Sequence, residues 1–188
     1  SGVDVGAVIE AERARKARTR AAGSSAVRLQ GGDGGDGWDA QGLCLGFGNN
    51  FKEVYDVLKV FDLDGVHAYE WVGEHVLAAA RGFAREDNAN ELARRVLLHH
   101  GTIGALGAIS GASVLVVYTG NVFHPEIPMV PETFDGATSE ILRVLAPQGF
   151  VISRGSAGQL ELALSQKLKL LLDNPLVSVL QNPAANES

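Results

Sequence analysis

Gly42-Leu43-Cys44-Leu45-Gly46-Phe47-Gly48-Asn49-Asn50-Phe51 passes from a short apolar run, through two glycines, into a segment of different period. Residues 42–46 are apolar and end in glycine, the pattern of a strand buried on both faces. From there the apolar positions fall at Phe51, Val54, Tyr55, Leu58 and Phe61, which is the spacing of one helix face. A buried strand, a glycine turn and an amphipathic helix make the opening half of a βαβ unit.

The alternation continues outward. Strands are expected at 65–72, 96–102, 112–119, 150–154 and 176–180, and helices at 74–85, 91–96, 138–145 and 159–173. Val114, Leu115, Val116 and Val117 follow one another without a polar break, which suits a central parallel strand. Pro147 closes the 138–145 helix and Asn174-Pro175 ends the long one at 159–173. Strands separated by helices imply an α/β domain, a mostly parallel sheet covered on both faces. Ahead of it, residues 1–22 read as a helix with Arg13, Arg15, Lys16, Arg18 and Arg20 spread all round its surface. Residues 31–39, GGDGGDGWD, read as a flexible linker. The division is therefore a basic helix and Gly/Asp-rich linker over 1–37 and the α/β domain over 38–188.

Composition narrows the function classes. A chain of 188 residues fits one domain of this kind, and its single cysteine excludes a disulfide framework or a cysteine-rich zinc site. A net charge of −6 argues against sequence-independent nucleic-acid binding, which needs a basic face. Gly, Ser and charged residues interrupt every apolar run before the roughly 18 residues of a membrane span. The first residues lack a basic-then-apolar signal, so a cytoplasmic location is expected.

In an open parallel sheet, ligands lie beyond the carboxyl ends of the strands. The first exit carries Gly46 and Gly48, which permit a tight turn and close approach of a ligand to the backbone. The second strand ends at Glu70, 24 residues beyond Gly46, where a carboxylate can accept hydrogen bonds from ribose hydroxyls. Trp71 follows with a ring able to flank a nucleoside. The dinucleotide fingerprint needs a third glycine where Phe51 stands, so a nucleoside without pyrophosphate fits better. Cys44 reads as a small core residue, and the adjacent His99-His100 lack the spacing of paired metal ligands. His124 and Glu126 follow the 112–119 strand, either as proton acceptors or as ordinary loop residues. Arg154 and Ser156 share that neighbourhood.

Three segments carry a resemblance: Leu45-Gly46-Phe47-Gly48, Tyr69-Glu70-Trp71, and Arg143-Val144-Leu145-Ala146-Pro147-Gln148-Gly149. Over residues 38–156 the chain resembles the class I (Rossmann-like) S-adenosylmethionine-dependent methyltransferases. That resemblance implies a three-layer Rossmann-like fold, S-adenosylmethionine as cofactor, and methyl transfer to an unidentified substrate. It also implies that Gly46, Phe47 and Gly48 line the methionine part, Glu70 holds the ribose hydroxyls, and Trp71 packs beside adenine. Thr102 stands where the family has an acidic residue near the adenine amino group. The resemblance likewise implies that Tyr118, in Tyr118-Thr119-Gly120-Asn121, faces cofactor and substrate. Three departures are visible: Thr102 itself, the absence of an Asn-Pro-Pro-Tyr motif, and Leu43-Cys44 where an acidic residue commonly precedes the glycines. They leave a catalytically silent binding module as the alternative, with a nicotinamide-dependent oxidoreductase behind it. No catalytic residue is assigned. After the long helix only 176–180 is left to pair, so the family's terminal hairpin would be missing, and a homodimer would cover the exposed sheet edge.

Overall fold

A computed structural model of the chain describes Gly2–Val3 and residues 38–183. Its strands are β1 (Gly2–Val3), β2 (Gln41–Leu45), β3 (Gly65–Glu70), β4 (Val96–His100), β5 (Val114–Thr119), β6 (Leu145–Arg154), β7 (Lys169–Asp173) and β8 (Val177–Gln181). The helices are α1 (Phe51–Val60), α2 (Gly73–Phe83), α3 (Ala89–Arg95), α4 (Pro131–Val144) and α5 (Gln159–Leu164). The strands form one sheet in the order β1-β4-β3-β2-β5-β6-β8-β7. Strands β4, β3, β2, β5 and β6 are mutually parallel, whereas β1, β8 and β7 each run antiparallel to their neighbour.

Two apolar layers cover the sheet. On one face α1, α2 and α3 pack through Val54, Leu58, Val76, Ala80, Phe83 and Leu92. The Phe51 ring lies on Gly82, where a Cβ would come within 2.5 Å of it, and meets Phe83 edge-on at 5.1 Å. On the other face α4 and α5 pack through Ile141, Val144, Leu160 and Leu164. The connection from β4 back across to β5 has no helix. It is pinned to α4 instead, by Arg143 donating to the carbonyls of Leu106 and Ile109 and by the Leu106 N–H donating to Glu140.

The α/β architecture and the alternating order match expectation, with four differences. The segment 159–173 is not one long helix: α5 ends at Leu164 and Lys169–Asp173 is strand β7. Leucine-rich sequence is compatible with either state, and pairing with β8 decides it. The turn is fixed by Asn174, whose side-chain oxygen accepts from the N–H groups of both Leu176 and Val177. The terminal hairpin is therefore present and the expectation of a missing one is wrong. Second, α4 starts at Pro131, not 138, with proline in the first turn where its missing N–H costs nothing. Third, β6 begins at Leu145 and carries Pro147-Gln148 as an irregularity opposite Val114 and Val116; Leu115 at this point is exposed. Fourth, Gly2–Val3 is extended and pairs with Leu98 and His99 rather than opening a helix. The rest of the expected basic helix, and most of the linker, lie outside the described residues.

Across β3 and β4 runs a polar-aromatic column. Trp38 meets His67 edge-on at 5.4 Å, His67 stacks with His99 at 5.2 Å, and His99 stacks with Tyr69 at 4.4 Å. His67 Nδ1 and His99 Nε2 share a hydrogen bond of 3.0 Å. Burial lowers both imidazoles from 6.5 to about 4, with the proximity of His67 adding to the effect at His99. Between these values the unfolded chain binds protons that the folded chain does not, so acid favours unfolding. Stability is therefore expected to be full above pH 6.5 and to fall progressively from there toward pH 4. Thermal melts across that range check this, and His67→Phe should flatten the slope.

Candidate functional site

The order of strands reverses between β2 and β5, and both exits are built of glycine. Gly46 and Gly48 have φ of +67° and +54°, in the region that favours residues without a Cβ. A Cβ on Gly46 would lie 2.5 Å from Val122 Cβ, whereas one on Gly48 would meet nothing within 4 Å. Gly46 is thus tight for packing and Gly48 looks onto open space.

Glu70 organises the loops around it. The residue is only 3% exposed, and a carboxylate that deep requires donors. It has them: Gly48 N–H donates to Oε2 at 2.9 Å and Val72 N–H donates to Oε1 at 3.0 Å. Gly46 N–H donates to the Tyr69 carbonyl at 2.9 Å, and Gly101 N–H to the Glu70 carbonyl at 3.1 Å. One carboxylate and its own backbone therefore tie together the exits of β2, β3 and β4. His75 Nδ1, on α2, stands 3.7 Å from Glu70 Oε1, too far for a hydrogen bond, and has no other partner. His100 hydrogen-bonds the Trp71 carbonyl at 2.9 Å, while the Trp71 side chain is 72% exposed above the site.

The seven residues expected here do not all converge. Gly46, Gly48, Glu70 and Trp71 come together. Phe47 buries its side chain in the α1 layer, so only its backbone faces the loop. Thr102 is exposed beyond β4, its hydroxyl accepting from Gly104 N–H at 3.2 Å. Tyr118 is half-buried on the α1 side of the sheet and hydrogen-bonded to Arg154. Cys44 is fully buried in the core, and burial raises its thiol well above the ordinary range. His99 and His100 diverge, one toward His67 and the other toward Trp71. His124 and Glu126 sit together on a loop, with the Glu126 N–H donating to His124 Nδ1 at 3.2 Å.

Glu53 was not singled out by the sequence. It lies in the first turn of α1, accepts from Asn50 Nδ2 at 3.2 Å, and stands 3.6 Å from Arg154. Its Oε2 is 3.0 Å from where a Gly120 Cβ would be, so a side chain at the β5 exit would press on the carboxylate. The available signal was an acidic residue one turn into the helix after the glycine loop, facing a glycine at the neighbouring exit.

A cleft of about 360 Å³ opens farther along the same edge, beyond β6 and β8, between residues 153–158 and 173–178. Beside it Ser156 and Glu161 form a buried hydroxyl–carboxylate pair.

No family model and no curated sequence matches the chain. Solved structures do. A SAM-dependent methyltransferase from Methanosarcina mazei superposes with a TM-score of 0.57 at 11% identity, over 77% of this chain and 92% of that one. The methyltransferase solved with the Trm112 activator of Haloferax volcanii gives 0.56 at 15% identity, over 80% and 85%. A Streptococcus mutans protein, described as a methyltransferase and solved in complex with SAH, gives 0.55 at 13%, over 75% and 87%. Of some longer methyltransferases the chain spans much less, 39% in one case and 24% in another. The chain has the class I, Rossmann-like methyltransferase fold.

The two glycines should separate packing from access. Gly46→Ala and Gly48→Ala each incur about 1–2 kcal/mol for a left-handed alanine. Gly46→Ala also meets Val122, so it should lower the denaturation midpoint clearly more than Gly48→Ala in paired urea titrations.

Proposed function

We propose that the chain binds S-adenosylmethionine at the exits of β2, β3 and β4 and transfers its methyl group to an unidentified acceptor. The observation that carries this is Glu70, a buried carboxylate held at the end of β3 by Gly48 N–H and Val72 N–H. Each of its oxygens accepts one backbone N–H and retains a second lone pair, which suits a pair of vicinal ribose hydroxyls. The open space over Gly48 and the exposed Trp71 ring fit the rest of the group: the backbone of Gly46, Phe47 and Gly48 beside the methionine part and Trp71 beside adenine. Thr102 would stand near the adenine amino group, and Tyr118 behind Arg154 and Glu53 at the β5 exit. When bound, the cofactor supplies an electrophilic methyl on sulfur. The protein's part is then to hold two reactants in line and exclude competing water.

The substrate, a cytoplasmic location, a sheet-edge homodimer and, apart from the strand Gly2–Val3, a separate module over residues 1–37 belong to the same proposal. The described helices include none long and apolar enough to cross a membrane. The edge for a homodimer would be β7, whose Leu170, Leu171 and Leu172 are exposed. A silent binding module is the second reading, favoured by the engagement of Thr102 with Gly104 and of Tyr118 with Arg154.

Calorimetry with S-adenosylmethionine is expected to give saturable binding, and its absence at millimolar cofactor overturns the proposal. Glu70→Ala should weaken binding by about ten- to a hundredfold, since hydrogen bonds to a charged group contribute roughly 1.5–3 kcal/mol. Saturable quenching or enhancement of NADH fluorescence on adding the protein would instead favour an oxidoreductase.

A further inference from the structure

Two carboxylates flank the exit of β2, one on each side. Glu70 ends β3, and Glu53, in the first turn of α1, stands on the β5 side against Gly120. The Glu53 side chain is 17% exposed, and its two oxygens meet different surroundings. Oε1 accepts from Asn50 Nδ2 at 3.2 Å and has Arg154 Nη1 at 3.6 Å. Oε2 rests on Gly120, 3.0 Å from where a Cβ would stand, and the Gly46 carbonyl oxygen is 3.4 Å from that same point. No hydrogen bond among the described residues reaches Oε2, and the atom stays in contact with solvent. The end of β2 supplies no charge of its own, since Leu43 and Cys44 are fully buried and Phe47 packs into the α1 layer.

A carboxylate oxygen and a carbonyl oxygen side by side are both acceptors. The group that satisfies the pair carries several donors, and a positive charge strengthens each bond. An ammonium has three donors and no acceptor, whereas an anion would be repelled. Arg154 does not fill this place, because it lies on the Oε1 side and is shared with Tyr118. Strands β3 and β5 lie on either side of β2, so their exits are roughly 10 Å apart at about 4.8 Å per strand. A nucleoside whose ribose is held at Glu70 therefore reaches Glu53 only through a chain of several atoms. Resting on the cofactor reading given above, we propose that Glu53 holds the α-ammonium of the ligand's amino-acid part, together with the Gly46 carbonyl. Glu53 thereby selects nucleosides that carry an amino acid over those that do not.

The test is calorimetry on the full chain with S-adenosylmethionine, S-adenosylhomocysteine and methylthioadenosine, at about pH 7, where an α-amino group is mostly an ammonium. The last two share the nucleoside and an uncharged sulfur and differ in the amino-acid part, so their comparison leaves the sulfonium charge out. The unaltered chain should bind S-adenosylhomocysteine more tightly than methylthioadenosine. Glu53→Gln should weaken the two amino-acid ligands about tenfold and leave methylthioadenosine unchanged, which also shows that the variant is folded. Glu70→Ala should weaken all three. Glu126→Gln, which neutralises an exposed carboxylate on the loop after β5, should alter none. Equal affinity of the unaltered chain for S-adenosylhomocysteine and methylthioadenosine would overturn the role of Glu53 and leave that of Glu70 standing. The same holds if Glu53→Gln changes all three ligands alike or none of them. Binding of none of the three to the unaltered chain would overturn the cofactor reading itself and this assignment with it.

Discussion

A buried carboxylate hydrogen-bonded by backbone N–H groups is the constraint on which the carboxyl edge of the sheet depends. Glu70 comes to the end of a parallel strand with its side chain enclosed, and its hydrogen bonds come from backbone N–H groups, with His75 Nδ1 3.7 Å away. Those donors are in the loop after β2 and the turn after β3, so satisfying the charge draws both loops into a defined shape. The left-handed backbone at Gly46 and Gly48 follows from that shape, and so does the need for glycine there. Removing the carboxylate would release the N–H groups of Gly48 and Val72. The shape of both loops and the burial of this charge are thus the same interaction.

The two faces of the sheet divide the labour. The α1–α3 face is apolar almost to its edge and meets solvent chemistry through Glu53, Tyr118 and Arg154. The α4–α5 face carries hydroxyls along the edge, ending in an acidic cleft. At the opposite side, β3 and β4 carry a column of imidazole and aromatic rings whose burial keeps the histidines neutral. Parallel strands place every exit on one edge, and the identity of the residue at each exit then sets what that edge can bind.

Much of this was legible in the chain because period and punctuation were unambiguous. Residues 51–61 repeat at helical spacing, and the short run ending at Gly46 has the pattern of a buried strand. Glu70 could be found from its distance to the glycines, since one βαβ unit fixes that distance. Residues 159–173 were misread because Leu, Lys and Gln satisfy a helix as well as a strand, and the choice between them was made by β8 and the Asn174 turn. A polar row at the carboxyl edge of the sheet escaped notice for a related reason. Thr119, Ser153, Ser178 and Asp173 are scattered over 60 positions and meet only through the register of three ladders.

The sequence by itself determined the α/β alternation, the glycine loop and the acidic residue that answers it, because each is set by local period or by the span of one supersecondary unit. Tertiary structure alone decided which of those residues converge. It buried Phe47, turned Tyr118 toward Arg154, occupied the Thr102 hydroxyl with Gly104, and brought Glu53 over Gly120. Contacts between strand exits depend on sheet order and register, and these are fixed by long-range pairing that no short window of sequence contains.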